Sequence, residues 1–333
     1  MVKKVTITDI AKAAGISPTT VSLILNGKGE RFSQETCSRV FQLRDELGYH
    51  IEKRPVVPRY AKKIYRLGVV MTAFNQFFYQ DVLAGIRESA GTEVIVSLYE
   101  VGDTYEDNLR DLKGLFREPI DGLILCEPAV PAKILRELSA AFKVPYVVIN
   151  SHAAVSDSDV WVDLHEVGVL SAEYLLANGH RKIAVVVPQE NHANSEIIAG
   201  FREGLAEYHL QLEEQDIFRI VPSLAESYRF AKTTNLQDYT AVFTAADEIA
   251  IGMMRGLASK GQRVPDTQSL LGVGNSELDN YTHPQLSSVL IPASDIGRAA
   301  FDKLEELNQK PQTPRGTLNL PIGLVKRSSV KHI

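Results

Sequence analysis

From Leu67 onward the chain alternates short β-branched apolar runs with helical patterns, and no other feature limits its fold as much. The runs are LGVVMT, EVIVSLYE, DGLILCE, VPYVVIN, KIAVVVP, TAVFTA and SLLGVG. Continuous apolar strands with helices between them predict parallel sheets covered on both faces. Seven or more such strands over about 260 residues fit two doubly wound lobes better than one sheet. Open parallel sheets bind ligands at the carboxyl ends of their strands, and two lobes would enclose that site between them.

The first fifty residues have a different texture. Thr8 is placed to cap a first helix whose Ile10, Ala11 and Ala14 share one face. Gly15 ends it, since glycine enters the left-handed region without penalty. Ser17 and Pro18 then supply an N-cap and a first helical position. The second helix should run from Pro18 to about Asn26, with Val21, Ile24 and Leu25 inward and Thr19, Ser22, Leu23 and Asn26 outside. Ser33 starts a third helix, with Val40, Phe41 and Leu47 on its core side and Gly48 at its end. Two short helices joined by a glycine turn make a helix-turn-helix unit, and the third gives it a core.

Charge separates the same two regions. Residues 1–66 hold 13 Lys/Arg against 6 Asp/Glu, whereas the remainder holds 23 against 35. A basic head on an acidic body fits either a polyanion partner for the head or a solvated arm. With a slim second helix rich in hydroxyl side chains, the combination favours DNA binding. Cys37 and Cys126 lie far apart in apolar patterns and read as buried thiols, without a disulfide or metal site. The start lacks a signal-peptide core, and no apolar run approaches the length of a membrane span, so a cytoplasmic protein with no membrane partner is expected. No G-x-S-x-G, G-x-G-x-x-G, Walker A or H-E-x-x-H sequence occurs, and the histidines are scattered. His180, after a helix-ending glycine, reads as a capping residue. Neither catalytic residues, metal ligands nor a cofactor site are expected.

The segment VTITDIAKAAGISPTTVSLILNG, followed by Ser33, the Glu35–Thr36 pair and LGY, closely resembles the headpiece of the lactose/galactose repressor (LacI/GalR) family of bacterial transcription regulators. Further matching stretches are residues 74–86, 162–186, 199–205, 246–252 and 283–289, so the resemblance spans essentially the whole chain. It implies an all-α helix-turn-helix headpiece (1–50), a basic linker (51–65) and an α/β two-lobed effector and dimerisation domain (66–333) like that of periplasmic sugar-binding proteins. The lobes would be non-contiguous, about 66–163 with 293–319, and about 164–292 with 320–333. The function implied is a homodimeric repressor of a carbohydrate-related operon, nucleoid-associated, with operator DNA of two near-palindromic half-sites and a small-molecule effector as partners. The competing reading is a small-molecule-binding module without gene control.

Residue by residue, the resemblance places Pro18, Thr19 and Leu23 at base-contacting positions. Thr6, Ser17, Thr20, Ser22, Asn26, Arg31, Arg54 and Arg59 complete the DNA-binding set. Many family members carry arginine where this chain has Leu23; leucine offers only apolar contact, for instance with a thymine methyl. The linker carries Pro55 and Pro58 where relatives form a hinge helix, which predicts a basic tether or a helix starting at Pro58. The effector set is Phe74, Phe77, Phe78, Asn191, Ile197, Ala246, Asp247, Gly274 and Asn275. Ile197, Ala246 and Gly274 stand where relatives carry arginine, asparagine and aspartate. A sugar needs several convergent polar groups, so the ligand is a different sugar derivative, a non-sugar metabolite or nothing.

Overall fold

The computed structural model describes residues 6–25, 32–47, 66–71, 77–102, 104–150, 159–188, 192–310 and 315–333. The chain divides into two compact units, residues 1–59 and 60–333.

The first unit holds α1 (Ile7–Ala14), α2 (Pro18–Leu25) and α3 (Gln34–Leu47). The cap of α1 is Thr6, not Thr8: Asp9 Oδ2 accepts from the Thr6 backbone N–H at 2.9 Å and from its hydroxyl at 2.7 Å. A threonine one turn ahead of an acid satisfies otherwise orphaned donors, which one inside the helix does not. Gly15 closes α1 in the left-handed region, at φ 69°. Ser17 Oγ then accepts from Thr20 N–H at 3.0 Å, and Ser33 Oγ from Thr36 N–H at 3.2 Å, so each following helix is serine-capped. The core is Ile10, Ala11, Val21, Ile24, Val40 and Leu43. Leu43 takes the place assigned to Leu47, which is exposed; from Val40, three residues lead back to the same face, whereas Leu47 is the last residue of the helix.

The second unit is built on two six-stranded sheets. In chain order its elements are β1 (Arg66–Met71), α4 (Phe77–Ala90), β2 (Ile95–Glu100), α5 (Tyr105–Leu115), β3 (Gly122–Cys126), α6 (Ala132–Phe142), β4 (Tyr146–Ile149) and β5 (Val160–Trp161). There follow α7 (Leu164–Ala177), β6 (Ile183–Pro188), α8 (His192–Ala206), β7 (Ile217–Ile220), α9 (Leu224–Thr233), β8 (Ala241–Thr244), α10 (Asp247–Ser259), β9 (Ser269–Gly274) and β10 (Ser287–Leu290). Last come α11 (Ala293–Gln309), β11 (Leu318–Asn319) and β12 (Gly323–Val325).

The sheets run β11-β5-β4-β3-β1-β2 and β12-β10-β9-β8-β6-β7. All pairings are parallel except β10 with β12. The chain leaves the first sheet after β5, returns to it through α11 and β11, and ends beside the second at β12. Alternation along β1 puts Leu67, Val69 and Met71 into one core and Val70 into another, as a sheet covered on both faces requires.

Each lobe packs one helix pair through reciprocal glycines. In α4 and α11, a Cβ on Gly85 would lie 1.9 Å from Ser294 O, and one on Gly297 2.0 Å from Val82 O. In α7 and α8, a Cβ on Gly168 would lie 2.1 Å from Ile197 O, and one on Gly200 1.9 Å from His165 O. Only glycine lets the backbones approach this closely.

Candidate effector cleft and DNA-reading helix

The short α2 follows a tight glycine turn and starts on the Ser17–Pro18 cap. Its Val21 and Ile24 are buried in the core that α2 shares with α1 and α3. Ser17, Pro18 and Thr20 cluster at its amino end, where the Ser17 and Thr20 hydroxyls lie 2.9 Å apart. The positive helix end and these hydroxyls suit a phosphate. Thr6 sits at the amino end of α1. The side chains of Thr19, Ser22 and Leu23, and residues Asn26, Arg31, Arg54, Arg59, Phe74 and Asn191, lie outside the described residues.

In the second unit, the carboxyl ends of β8 and β9 bring Ala246, Asp247, Gly274 and Asn275 together. Asp247 is buried and turned inward. Its Oδ1 accepts from the Ser288 hydroxyl at 2.7 Å and its Oδ2 from Ser276 N–H at 2.9 Å. A side chain at Gly274, in the left-handed region at φ 131°, would put its Cβ 2.8 Å from that same Oδ2. The Asp247 carboxylate thus explains why glycine stands there. Asn275, also left-handed at φ 61°, accepts from Arg327 on Oδ1 at 2.7 Å. Ile197, on α8, is 4% exposed and lies in the hydrophobic core. Phe77 and Phe78 open α4 after β1, with Phe78 edge-on to Tyr79 at 5.3 Å.

Sequence reasoning overlooked an acidic network around this position. Asp279 is fully buried, accepts from the Ser276 hydroxyl at 3.1 Å and lies 3.8 Å from the Arg327 guanidinium. Burial, then the neighbouring Asp247, pushes its pKa up to about 8. Burial also raises Asp247, against the pull of its donors. Asp247 has hydroxyl and amide donors, whereas Asp279 Oδ2 is buried without one. The proton therefore belongs on Asp279 at neutral pH, donated toward Asp247. Glu248, 6% exposed, is pushed up to about 7 by burial, and the Asp247 charge adds to the rise; its own N–H and that of Phe77 oppose it. Asp81 on α4 is raised by partial burial and by Glu277 of the other lobe. In the first lobe the Tyr79 hydroxyl donates to Glu127 at 2.5 Å. The signal available in the sequence was the consecutive pair Asp247–Glu248 at the start of a helix, a place for acids of which one faces inward.

His180 does not cap α7 through its ring. It is buried with Nε2 3.1 Å from Lys331 O and Nδ1 3.0 Å from the Thr240 hydroxyl, so it ties the end of the chain to the second lobe. Desolvation lowers its pKa, which favours the neutral ring. A cavity of about 110 Å³ beside α8 and β7 is smaller than ordinary ligand pockets of about 300–1,000 Å³. Its Arg202 and Arg219 both turn to Glu214, at the amino end of β7. No helix among the described residues is long and apolar enough to cross a membrane.

Residues 6–51 match the model of the bacterial regulatory proteins of the lacI family, and residues 172–330 that of the periplasmic binding protein-like domain. The chain thus joins a lacI-family headpiece to a periplasmic binding protein-like domain. With relatives that are repressors along the whole length, it is a DNA-binding regulator. It is 29% identical to the HTH-type transcriptional repressor PurR of Vibrio parahaemolyticus, over 98% of this chain and 99% of that one. It is also 29% identical to the catabolite control protein A of Streptococcus mutans, over 98% of each chain. The solved structure of the lac repressor dimer bound to operator and the anti-inducer ONPF shares its fold, with a TM-score of 0.68 and 24% identity over 99% of this chain and 100% of that one. The lacI-family headpiece and the two sheets therefore account for both of its compositional halves.

Proposed function

We propose that this regulator is a homodimeric repressor whose operator affinity is set by a small molecule bound between its lobes. The observation that carries the reading is the serine-capped α2 after a left-handed glycine, in a chain that continues into two mainly parallel sheets of the same strand order. Relatives that match it end to end are named as repressor and catabolite control protein, and the lac repressor structure is a dimer on its operator. One headpiece covers too few base pairs to be selective, and a dimer places two on half-sites of a near-palindrome.

In this reading the headpiece is residues 1–50, the linker 51–65, and the lobes are 66–163 with 293–319 and 164–292 with 320–333. Thr6, Ser17, Thr20, Ser22 and Asn26, with Arg31, Arg54 and Arg59, meet phosphates, while Pro18, Thr19 and Leu23 face bases. The effector lies among Phe74, Phe77, Phe78, Asn191, Ile197, Ala246, Asp247, Gly274 and Asn275, and the protein works at the nucleoid. With Ile197, Ala246 and Gly274 apolar, and Asp247 and Asn275 bonded within their own lobe, the cleft is poor in groups for a free sugar.

Gel shifts of the full chain on genomic fragments test the core of this proposal. The expected result is selective retention that weakens steeply with salt, each neutralised phosphate contributing a log–log slope of about −0.9. Nearly salt-independent retention refutes it. Site selection from a random library with the wild type and Leu23→Arg should recover different bases at one pair per half-site, a preference worth ~1–3 kcal/mol.

A further inference from the structure

Two guanidiniums converge on one carboxylate beside the small cavity of the second sheet. Arg202, on α8, donates to Glu214 Oε2 at 3.2 Å, and Arg219, on β7, to Glu214 Oε1 at 2.6 Å. The arginines come from separate elements. Parallel pairing of β6 with β7 sets Arg219 beside Val187, and Asn194, Ile198 and Arg202 follow at four-residue spacing on one face of α8. All five of these residues line the cavity.

The cavity measures about 110 Å³. It has room for several water-sized groups, too little for a whole metabolite and enough for a single small ion. Val187 and Ile198 make one wall apolar, and Asn194, at 5% exposure, is a polar group carried almost out of water. In such a setting an N–H···O⁻ bond is stronger than in open solvent. The arginine side chains stay 48% and 32% exposed, so an ion can reach them.

The charges of the triad do not balance. Two fixed cations face one carboxylate, and each contact engages one of a guanidinium's five N–H donors. Neither arginine has another acid partner among the described residues. Glu214 shows what the pair holds, an oxyanion within reach of both forks, yet it supplies half of the matching charge. It lies five residues from Arg219 and so acts at high local concentration, and a free monocarboxylate gains nothing by displacing it. A phosphate group carries about two negative charges and three acceptor oxygens, which match both arginines at once.

We propose that Arg202 and Arg219 bind a small dianionic oxyanion, phosphate in class, whose place Glu214 holds until it arrives. The site shares no residue with the effector set and rests on neither the repressor reading nor the cleft.

Titration calorimetry of the full chain with inorganic phosphate tests it, at low salt and about pH 8, where the dianion dominates and screening is weak. The basic headpiece also takes phosphate, so the measurement is the difference between wild type and variants. Arg202→Met/Arg219→Met should lose one site, its affinity falling about tenfold or more. Glu214→Gln keeps the shape but removes the competing charge, and should tighten that site about fivefold. Acetate should leave the wild-type site unfilled. Glycerol 2-phosphate separates the sources: binding as tight as phosphate identifies the phosphate group of a larger molecule, and loss of binding identifies the free ion. Identical phosphate titrations of the wild type and the double variant overturn the proposal. If the double variant does not fold, Glu214→Gln decides alone, and unchanged affinity there overturns it. Acetate that binds as well as phosphate overturns the assignment to a dianion.

Discussion

In the first lobe Gly85 and Gly297 let α4 and α11 cross at backbone contact; in the second, Gly168 and Gly200 do the same for α7 and α8. In all four cases the opposing carbonyl belongs to the residue three before the partner glycine. The sheets share the strand order as well. Each lobe is also fastened by an arginine from the last stretch of chain, and here they part. Arg315 pairs with a single buried acid, Asp159, stacks 4.0 Å over the Tyr146 ring and donates to Tyr146 O at 2.9 Å. Arg327 lies beside two, Asp279 and its neighbour Asp247, and spends most of its donors on Asn275, Asn280 and Leu286 O. One lobe balances its buried charge with a partner. The other reduces it by keeping a proton. The scaffold is repeated and the electrostatics are not.

That contrast breaks most visibly at the arginines. Arg315→Ala strands Asp159, whose side chain is 4% exposed, and should cost ~3–5 kcal/mol in urea unfolding at pH 7. Arg327→Ala leaves a pair that already shares a proton and should cost about half as much; equal losses would erase the distinction between the lobes. Next in size is the crossing shared by both. Gly200→Ala and Gly85→Ala each force a backbone to move and should lower stability by ~2–3 kcal/mol in denaturant titrations. A loss in one lobe alone would show that the repeat is not mechanical.

The buried pair sharpens the comparison through pH. Asp279 holds its proton up to about pH 8 in the folded chain, against an ordinary value of 3.8. Between those values the native state binds a proton that the unfolded chain has released, so stability falls as pH rises through this window. Asp279→Asn should flatten that slope and gain about 2 kcal/mol or more at pH 8.5, with little change at pH 4. An unchanged slope from pH 4 to 8.5 would place the proton elsewhere. The smallest effect belongs to His180, whose lowered pKa means that stability is kept above about 6.5 and lost as pH falls below it. His180→Gln should remove much of that acid sensitivity at a cost of about 1 kcal/mol, read from thermal unfolding at pH 5 and 7.5.

The headpiece and seven strands were legible because their signals are local: an N-cap serine before proline, a left-handed glycine, unbroken β-branched runs. Thr8 was mistaken for the cap because that reading did not count the acid three residues after Thr6. The strands β5, β7, β10, β11 and β12 escaped notice. They are two to four residues long, and several of their residues are polar or exposed. Serines 287, 288 and 329 read as loop until their partners are known. Ser329 Oγ donates to Leu270 O at 2.6 Å and accepts from Ser287 N–H at 2.8 Å, contacts 59 and 42 residues apart.

By itself the sequence determined the class of each half of this protein, since propensity, capping and periodicity act over a few residues. It also raised the expectation of an unusual cleft, because Ile197, Ala246 and Gly274 are identities and need no geometry. Tertiary structure alone decided what the acids do. Asp247 bonds inward, Asp279 keeps a proton and the buried Glu248 has its pKa raised, because desolvation and charge depend on what surrounds a group in space. Three acids within 33 positions look alike to a sequence reader; burial, and the neighbour each one meets, make them a fold anchor, a proton store and a desolvated acid at a helix start.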